Sequence, residues 1–165
     1  MTEQKPETLH IDPWEKRWIQ ISILMLIIFV LAVGASGFAF GFQVPLPEQR
    51  VDPARITDEG PFANPGLREL APGRYEAYIV AQIWSFTPNE IRVPQGSTVT
   101  FYITSKDVQH GFTLQKTNVN VQVLPGYVSK LTHRFDTPGT YLFVCSEYCG
   151  AGHQSMFGRI IVEPR

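Results

Sequence analysis

The stretch Cys145-Ser-Glu-Tyr-Cys149-Gly-Ala-Gly-His153-Gln-Ser-Met156 gathers two thiols, an imidazole and a thioether. His110 lies far upstream of it, and Met156 is the thioether of the polar part of the chain, since Met1 opens the sequence and Met25 falls in an apolar run. Thiolate and thioether favour Cu(I), imidazole suits both copper states, and thiolate plus imidazole with a weak axial Met makes a copper electron-transfer site. Cys149, His153, Met156 and His110 form such a set. Because one thiolate suffices for a mononuclear centre, Cys145 needs its own explanation. Two thiolates can bridge two metal ions, leaving one His for each, with Met156 as weak ligand to one and a backbone carbonyl near Glu147 as weak ligand to the other.

Two plainer readings stay open beside this one. Paired cysteines in an oxidising compartment form disulfides, and two Cys with two His bind zinc. Neither uses Met156. Of the remaining histidines, His10 lies in a polar tail and His133 in a strand-like run beside Arg134, so both read as bystanders. Asp107 stands three residues before His110, where a loop Asp ordinarily bonds its own backbone.

Ligands this far apart in sequence need a rigid scaffold. Val99, Phe101 and Ile103 alternate with Thr98, Thr100, Tyr102 and Thr104, which gives a strand one apolar and one mostly polar face. Similar runs near 75–80, 119–123, 128–135, 140–144 and 158–162 are separated by turn signals such as Pro94-Gln-Gly96, Pro125-Gly126 and Pro138-Gly139, so residues 74–165 read as a β-sandwich or barrel. On this reading a strand ends at Cys145, the ligands sit on the loop after it, the last strand begins near Gly158, and another loop at the same end supplies His110. Residues 43–73 carry Pro45, Pro47, Pro53, Pro61, Pro65 and Pro72 without apolar periodicity and read as an extended linker.

Residues 18–42 contain no Asp, Glu, Lys, Arg or His. As a helix rising ~1.5 Å per residue they reach about 38 Å, beyond the ~30 Å hydrocarbon core, and the run is too long for the core of a signal peptide. An uncleaved transmembrane helix is expected, with Gly37-x3-Gly41 as a weak helix-packing signal. Lys16 and Arg17 abut its start while the next basic residue is Arg50, which places residues 1–17 in the cytoplasm and the β-domain outside it. The formal net charge is −1, and with no basic cluster there is no electrostatic footprint for nucleic acid.

The spacing Cys-x3-Cys-x3-His-x2-Met, preceded by Ser105-Lys-Asp-Val-Gln-His110, resembles the CuA motif of haem–copper cytochrome c oxidase subunit II. The short N-terminus, the one membrane helix and Trp14-Glu-Lys-Arg-Trp18 before it are most similar to the B-type branch; most other branches have two helices in this subunit. The resemblance implies a mostly β chain with a single N-terminal transmembrane helix followed by a cupredoxin-like Greek-key domain. It implies a binuclear copper centre held by His110, Cys145, the Glu147 carbonyl, Cys149, His153 and Met156. It further implies membrane lipid around the helix, cytochrome c as electron donor, and a partner subunit I whose haem receives the electrons for reduction of O2 to water coupled to proton translocation. No haem-attachment motif is present, so the oxygen chemistry is expected in subunit I. By the same resemblance Trp84 marks electron entry and Glu15 the mouth of a proton-uptake path, whereas the Glu147 carboxylate, similar to a magnesium ligand in longer forms, is carried over for its carbonyl alone. A CuA subunit of a nitric oxide reductase and a copper-handling cupredoxin are the alternatives.

Overall fold

The computed structural model describes residues 12–41 and 47–165, and the chain divides into two units, 1–42 and 43–165. His10 lies outside the described residues.

The first unit holds one helix, α1 (Pro13–Phe40). Asp12 caps it by accepting from the Trp14 N–H over 2.8 Å, and Pro13 sits where a missing N–H costs nothing. This cap starts the helix five residues before the apolar run that the sequence marks out. Gly41, at φ 58° in the left-handed region, ends it. None of its residues is buried, and its most apolar window has a mean hydropathy of 2.6. A helix that is apolar all round is suited to lipid, and this one is long enough to cross a membrane.

The second unit is a two-sheet sandwich. Its first sheet runs, in spatial order, β1 (Pro47–Arg50), β9 (Tyr127–Phe135), β6 (Ser97–Ser105), β3 (Arg74–Gln82) and β2 (Gly66–Ala71), with β4 (Ser85–Thr87) hairpinned onto β3. The second runs β5 (Glu90–Pro94), β11 (Phe157–Glu163), β10 (Gly139–Val144), β7 (His110–Leu114) and β8 (Asn120–Val123). Two pairings are parallel, β3 with β6 and β5 with β11; the other strand pairings are antiparallel.

The inward faces bury Ile79, Val99, Phe101, Ile103 and Ile160. Phe112 stacks on Phe143 with centroids 4.9 Å apart, and Phe86 meets both rings edge-on. This aromatic cluster rigidifies β7 and β10, which lead into the ligand-bearing residues.

The segment expected to be an extended linker, 43–73, is instead built into the sandwich over much of its described length. β1 and β2 are the two ends of the first sheet, and a 3₁₀ turn (Pro61–Ala63) brings Phe62 with Ile56 onto Val80 and Val128 on that sheet's outer face. An edge strand needs hydrogen-bond partners on one side only, so prolines around it are tolerated where a central strand would exclude them. That is why a Pro-rich sequence without clear alternation still pairs.

Candidate metal centre

His110 is not on a loop but is the first residue of β7, and its side chain is fully buried. The next residue must be glycine: a Cβ on Gly111 would collide with the Ser146 hydroxyl and the Glu147 backbone nitrogen. The ligand loop therefore lies directly against the start of β7. Cys145 follows the end of β10, and its N–H donates to the Met156 carbonyl over 3.0 Å, which closes the loop between the last two strands. A 3₁₀ turn over His153–Ser155 returns the chain to β11, and the Met156 N–H donates to the His153 carbonyl.

The donor atoms converge. His110 Nδ1 lies 3.8 Å from Cys145 Sγ, the two sulfurs are 3.7 Å apart, and Cys149 Sγ is 3.6 Å from His153 Nδ1. The Glu147 carbonyl oxygen stands 3.2 Å from Cys145 Sγ, and Met156 Sδ stands 3.8 Å from Cys149 Sγ. Both cysteines are free, so the disulfide reading does not hold here. His110, Cys145 and Cys149 bring ligand atoms within 4.8 Å of one another, all three buried. Burial, reinforced by the neighbouring Cys145, pushes the Cys149 thiol up to about 11. A cation bound here has to displace a proton and supply the compensating charge.

Around these donors a second layer fixes their orientation. His110 Nε2 lies 2.9 Å from Asp107 Oδ1. Burial raises the Asp107 carboxyl, but hydrogen bonds from His110 and from the Ile83 and Val108 backbone outweigh it and hold the group below its ordinary range. Trp84, in the turn between β3 and β4, donates from Nε1 to the Cys149 carbonyl over 3.2 Å. Its ring lies on Gly150 and Gly152; a Cβ on Gly152 would sit inside the indole. Trp84 is thus a half-exposed lid on the ligand loop rather than a core residue. Tyr148 is exposed on the loop, with its ring 5.9 Å from that of His153. His133 is elsewhere, on β9, edge-on to Phe135.

Comparison with known proteins places the chain in a family. The family model for the periplasmic domain of cytochrome c oxidase subunit II matches residues 78–164. Cytochrome c oxidase subunit 2 of Thermus thermophilus is 42% identical over 154 residues, 91% of this chain and 92% of that one. The chain belongs to the cytochrome c oxidase subunit II family. The subunit II family read from the sequence is therefore borne out. One chain in a cryo-EM structure of a heme-copper terminal oxidase dimer superposes on this subunit II chain with a TM-score of 0.74 and 35% identity, over 90% of this chain and 99% of that one. The periplasmic domain of subunit II from Bradyrhizobium japonicum cytochrome oxidase shares the β-domain fold, with a TM-score of 0.51 and 22% identity over 54% of this chain and 83% of that one. Nitrous-oxide reductase of Stutzerimonas stutzeri is 35% identical over 95 residues, 55% of this chain but 15% of that enzyme.

Sequence reasoning passed over Gly111, Gly150 and Gly152 in this subunit II. The available signal was their position: one directly follows a ligand, and two lie between ligands in Cys149-Gly-Ala-Gly-His153. Glycine at such points marks close backbone approach.

Proposed function

We propose that this chain is the electron-entry subunit of a haem–copper cytochrome c oxidase, accepting electrons from cytochrome c and delivering them to the haem of subunit I, where O2 is reduced to water with proton translocation. The reading rests on one observation above others. Each imidazole approaches a different sulfur, His110 at Cys145 and His153 at Cys149, while the sulfurs face each other at 3.7 Å. A single tetrahedral ion with bonds of about 2.0–2.3 Å needs four donors in one tight group, and His153 stands outside the group formed by His110 and the two cysteines. All four would serve as donors to a pair of copper ions, for which the Glu147 carbonyl and Met156 Sδ would offer one weak donor each.

Soft sulfur with imidazole fits copper, so His110, Cys145, Cys149, His153, Met156 and the Glu147 carbonyl would hold a binuclear CuA centre. Such a pair supplies one-electron transfer. The residues of the chain keep that site dry and fixed: the sulfurs and His110 are buried, β7 and β10 are locked by the Phe112–Phe143 stack, and Trp84 covers the loop from outside. On the same reading Trp84 is the point of electron entry, Glu15 collects protons, and α1 anchors the chain in lipid with Lys16 and Arg17 on the cytoplasmic side.

The likeness to nitrous-oxide reductase favours a second reading, an electron-entry domain serving another reductase. The apolar helix and the near-complete coverage of an oxidase subunit speak for the first. The full chain, purified in detergent and loaded with copper, should hold two coppers per chain and, half-oxidised, show one unpaired electron coupled to two copper nuclei. One copper with a one-nucleus pattern rejects the binuclear centre. Copurification with a haem-containing subunit that reduces O2 separates oxidase from reductase.

A further inference from the structure

The Pro-rich stretch that precedes β2 is clipped to the first sheet at several points. β1 lies on β9, and just beyond it the Val51 N–H donates to the Gly126 carbonyl over 3.1 Å. Ile56 and Phe62, each 4% exposed, pack on Val80 and Val128, and Val51, Tyr78 and Tyr102 join the same cluster. The Phe62 ring meets Tyr78 edge-on at 5.4 Å. Arg68 pins the turn from the other side: its guanidinium lies over the Tyr78 ring at 4.5 Å and donates to the carbonyls of Pro61 and Asn64 over 2.7 and 3.3 Å, bracketing the buried phenyl. Residues 51–64 thus form a strap across the outer face of that sheet.

β1 on its own is a weak attachment. It has four residues, an irregular register and a leading proline with no N–H to give. Segments with few buried apolar contacts open first, and the buried apolar contacts next to β1 come from the strap. β1 and the strap therefore hold or release together, with Phe62 as the largest side chain closing them.

We propose that Phe62 is a positioning residue for electron delivery: by closing the strap it keeps β1 on the sheet, so that residues 42–46 alone link α1 to the β-domain and hold the domain at high local concentration beside subunit I. The proposal rests on the oxidase reading above. Residues 42–46 are five in number, and release of 47–64 would add eighteen more. Effective concentration falls roughly as the −3/2 power of linker length, so this change lowers it about tenfold. Delivery needs contact with subunit I, and its observed rate follows the share of domains engaged there. Phe62 lies in a different apolar cluster from the one that contains Cys145, Cys149 and Met156, so its loss has no direct route to the metal centre. A residue that merely supported the centre would alter its potential; a residue that shortens the tether would not.

The first measurement is hydrogen exchange on the full-length chain in detergent. Phe62→Ala should speed exchange of the Val51 amide by about tenfold or more, while the Phe101 amide on central β6 keeps its protection. Unchanged Val51 exchange would mean that β1 holds without the strap, and the proposal fails. In the assembled, copper-loaded oxidase Phe62→Ala should slow electron delivery to the haem about tenfold with the reduction potential and electron entry from cytochrome c unchanged, and Phe62→Leu should restore delivery. A shifted potential, or unimpaired delivery in the alanine variant, overturns the proposal. A second variant leaves the strap intact: an eighteen-residue Gly-Ser spacer inserted within 42–46 lengthens the tether alone and should reproduce the slow delivery. Normal delivery with the spacer overturns the proposal even where Phe62→Ala is impaired. Absence of a copurifying haem subunit would reject the oxidase reading yet leave the exchange result on the isolated chain standing, so the two failures are distinguishable.

Discussion

Trp84 and Cys149 are joined directly, the indole Nε1–H donating to the Cys149 carbonyl over 3.2 Å while 43% of the tryptophan remains exposed. A π-system in contact with solvent is thereby fastened to the backbone of a candidate metal ligand. Replacing it with leucine removes the hydrogen bond and the ring but no donor atom. Trp84→Leu should keep full copper content, lose about 0.5–1.5 kcal/mol of stability for the hydrogen bond, and slow electron entry from cytochrome c in stopped-flow measurements. Unchanged entry with a larger stability loss would make Trp84 a packing residue.

Met156 is 2% exposed, with its sulfur 3.8 Å from Cys149 Sγ. Leucine is close to it in volume, so Met156→Leu should cost less than about 1.5 kcal/mol. A weak axial thioether tunes the metal more than it anchors it. The variant should retain copper and show a shifted reduction potential, whereas Cys149→Ser should abolish the native centre. Loss of copper from the leucine variant would make the thioether an anchor.

Gly111 offers a test of how the ligand loop is seated. A methyl group there would overlap the Ser146 hydroxyl and the Glu147 nitrogen, and backbone cannot move aside as a flexible side chain can. Gly111→Ala should destabilise the domain by about 1–3 kcal/mol, the usual cost of overpacking, and should weaken copper retention by displacing the loop that carries Cys145 and Glu147. Chemical denaturation and copper analysis of the same sample separate the two effects. Native copper retention would mean that the loop can shift without disturbing the donors.

The parts legible from sequence were those whose signal is local. A metal-binding loop compresses Cys145, Cys149, His153 and Met156 into one run, and the strand over 97–105 announces itself by alternation. The apolar run of α1 is equally plain, although its first turn is polar and was set by the Asp12 cap instead. What escaped depends on contacts between distant segments. β1 and β2 are edge strands whose pairing with β9 and β3 leaves little periodic trace. The need for glycine at 111 arises from Ser146, and the long-range hydrogen bond of Asp107 comes from the Ile83 N–H. Neither partner is nearby in sequence, so only the folded arrangement reveals them.

Glu90 joins the two strands of a parallel pair. Its carboxylate accepts from Arg159 Nε over 2.6 Å and from Arg92 Nε over 2.9 Å, in register with Arg159 on β11. The hydrogen bond from Arg159, then that from Arg92, holds the carboxyl below its ordinary value of 4.5. A depressed folded-state pKa contributes stability that is present above the unfolded value and is lost as pH falls through the folded one. Glu90→Gln should therefore lower the denaturant midpoint slightly near pH 7, with the gap to the unmodified chain closing under acid. High salt should narrow the gap too, since both arginines are exposed to solvent and Glu90 is partly so. A gap independent of pH would mean that Glu90 acts through packing and not through its charge.

Glu15 lies in the first turn of α1, beside Lys16 and Arg17 and one residue after Trp14, over whose ring Arg17 stacks at 5.4 Å. An acid in a first turn has an ordinary use, complementing the positive end of the helix, which is worth about 0.3–1 kcal/mol at an exposed position. Substitution by glutamine removes that contribution and would do nothing else if it were the whole role. Proton collection makes a different demand: the group must bind and release a proton at the inner membrane surface, and an amide does not titrate. Glu15→Gln in the assembled oxidase should therefore slow O2 reduction and proton uptake, while copper content and the first electron transfer from cytochrome c stay unchanged because the donor residues all lie in the other unit of the chain. Glu15→Asp, which keeps a titrating group and the favourable charge, should restore much of the uptake. Normal turnover and uptake in the glutamine variant, with only a small loss in helix stability, would confine Glu15 to the helix terminus.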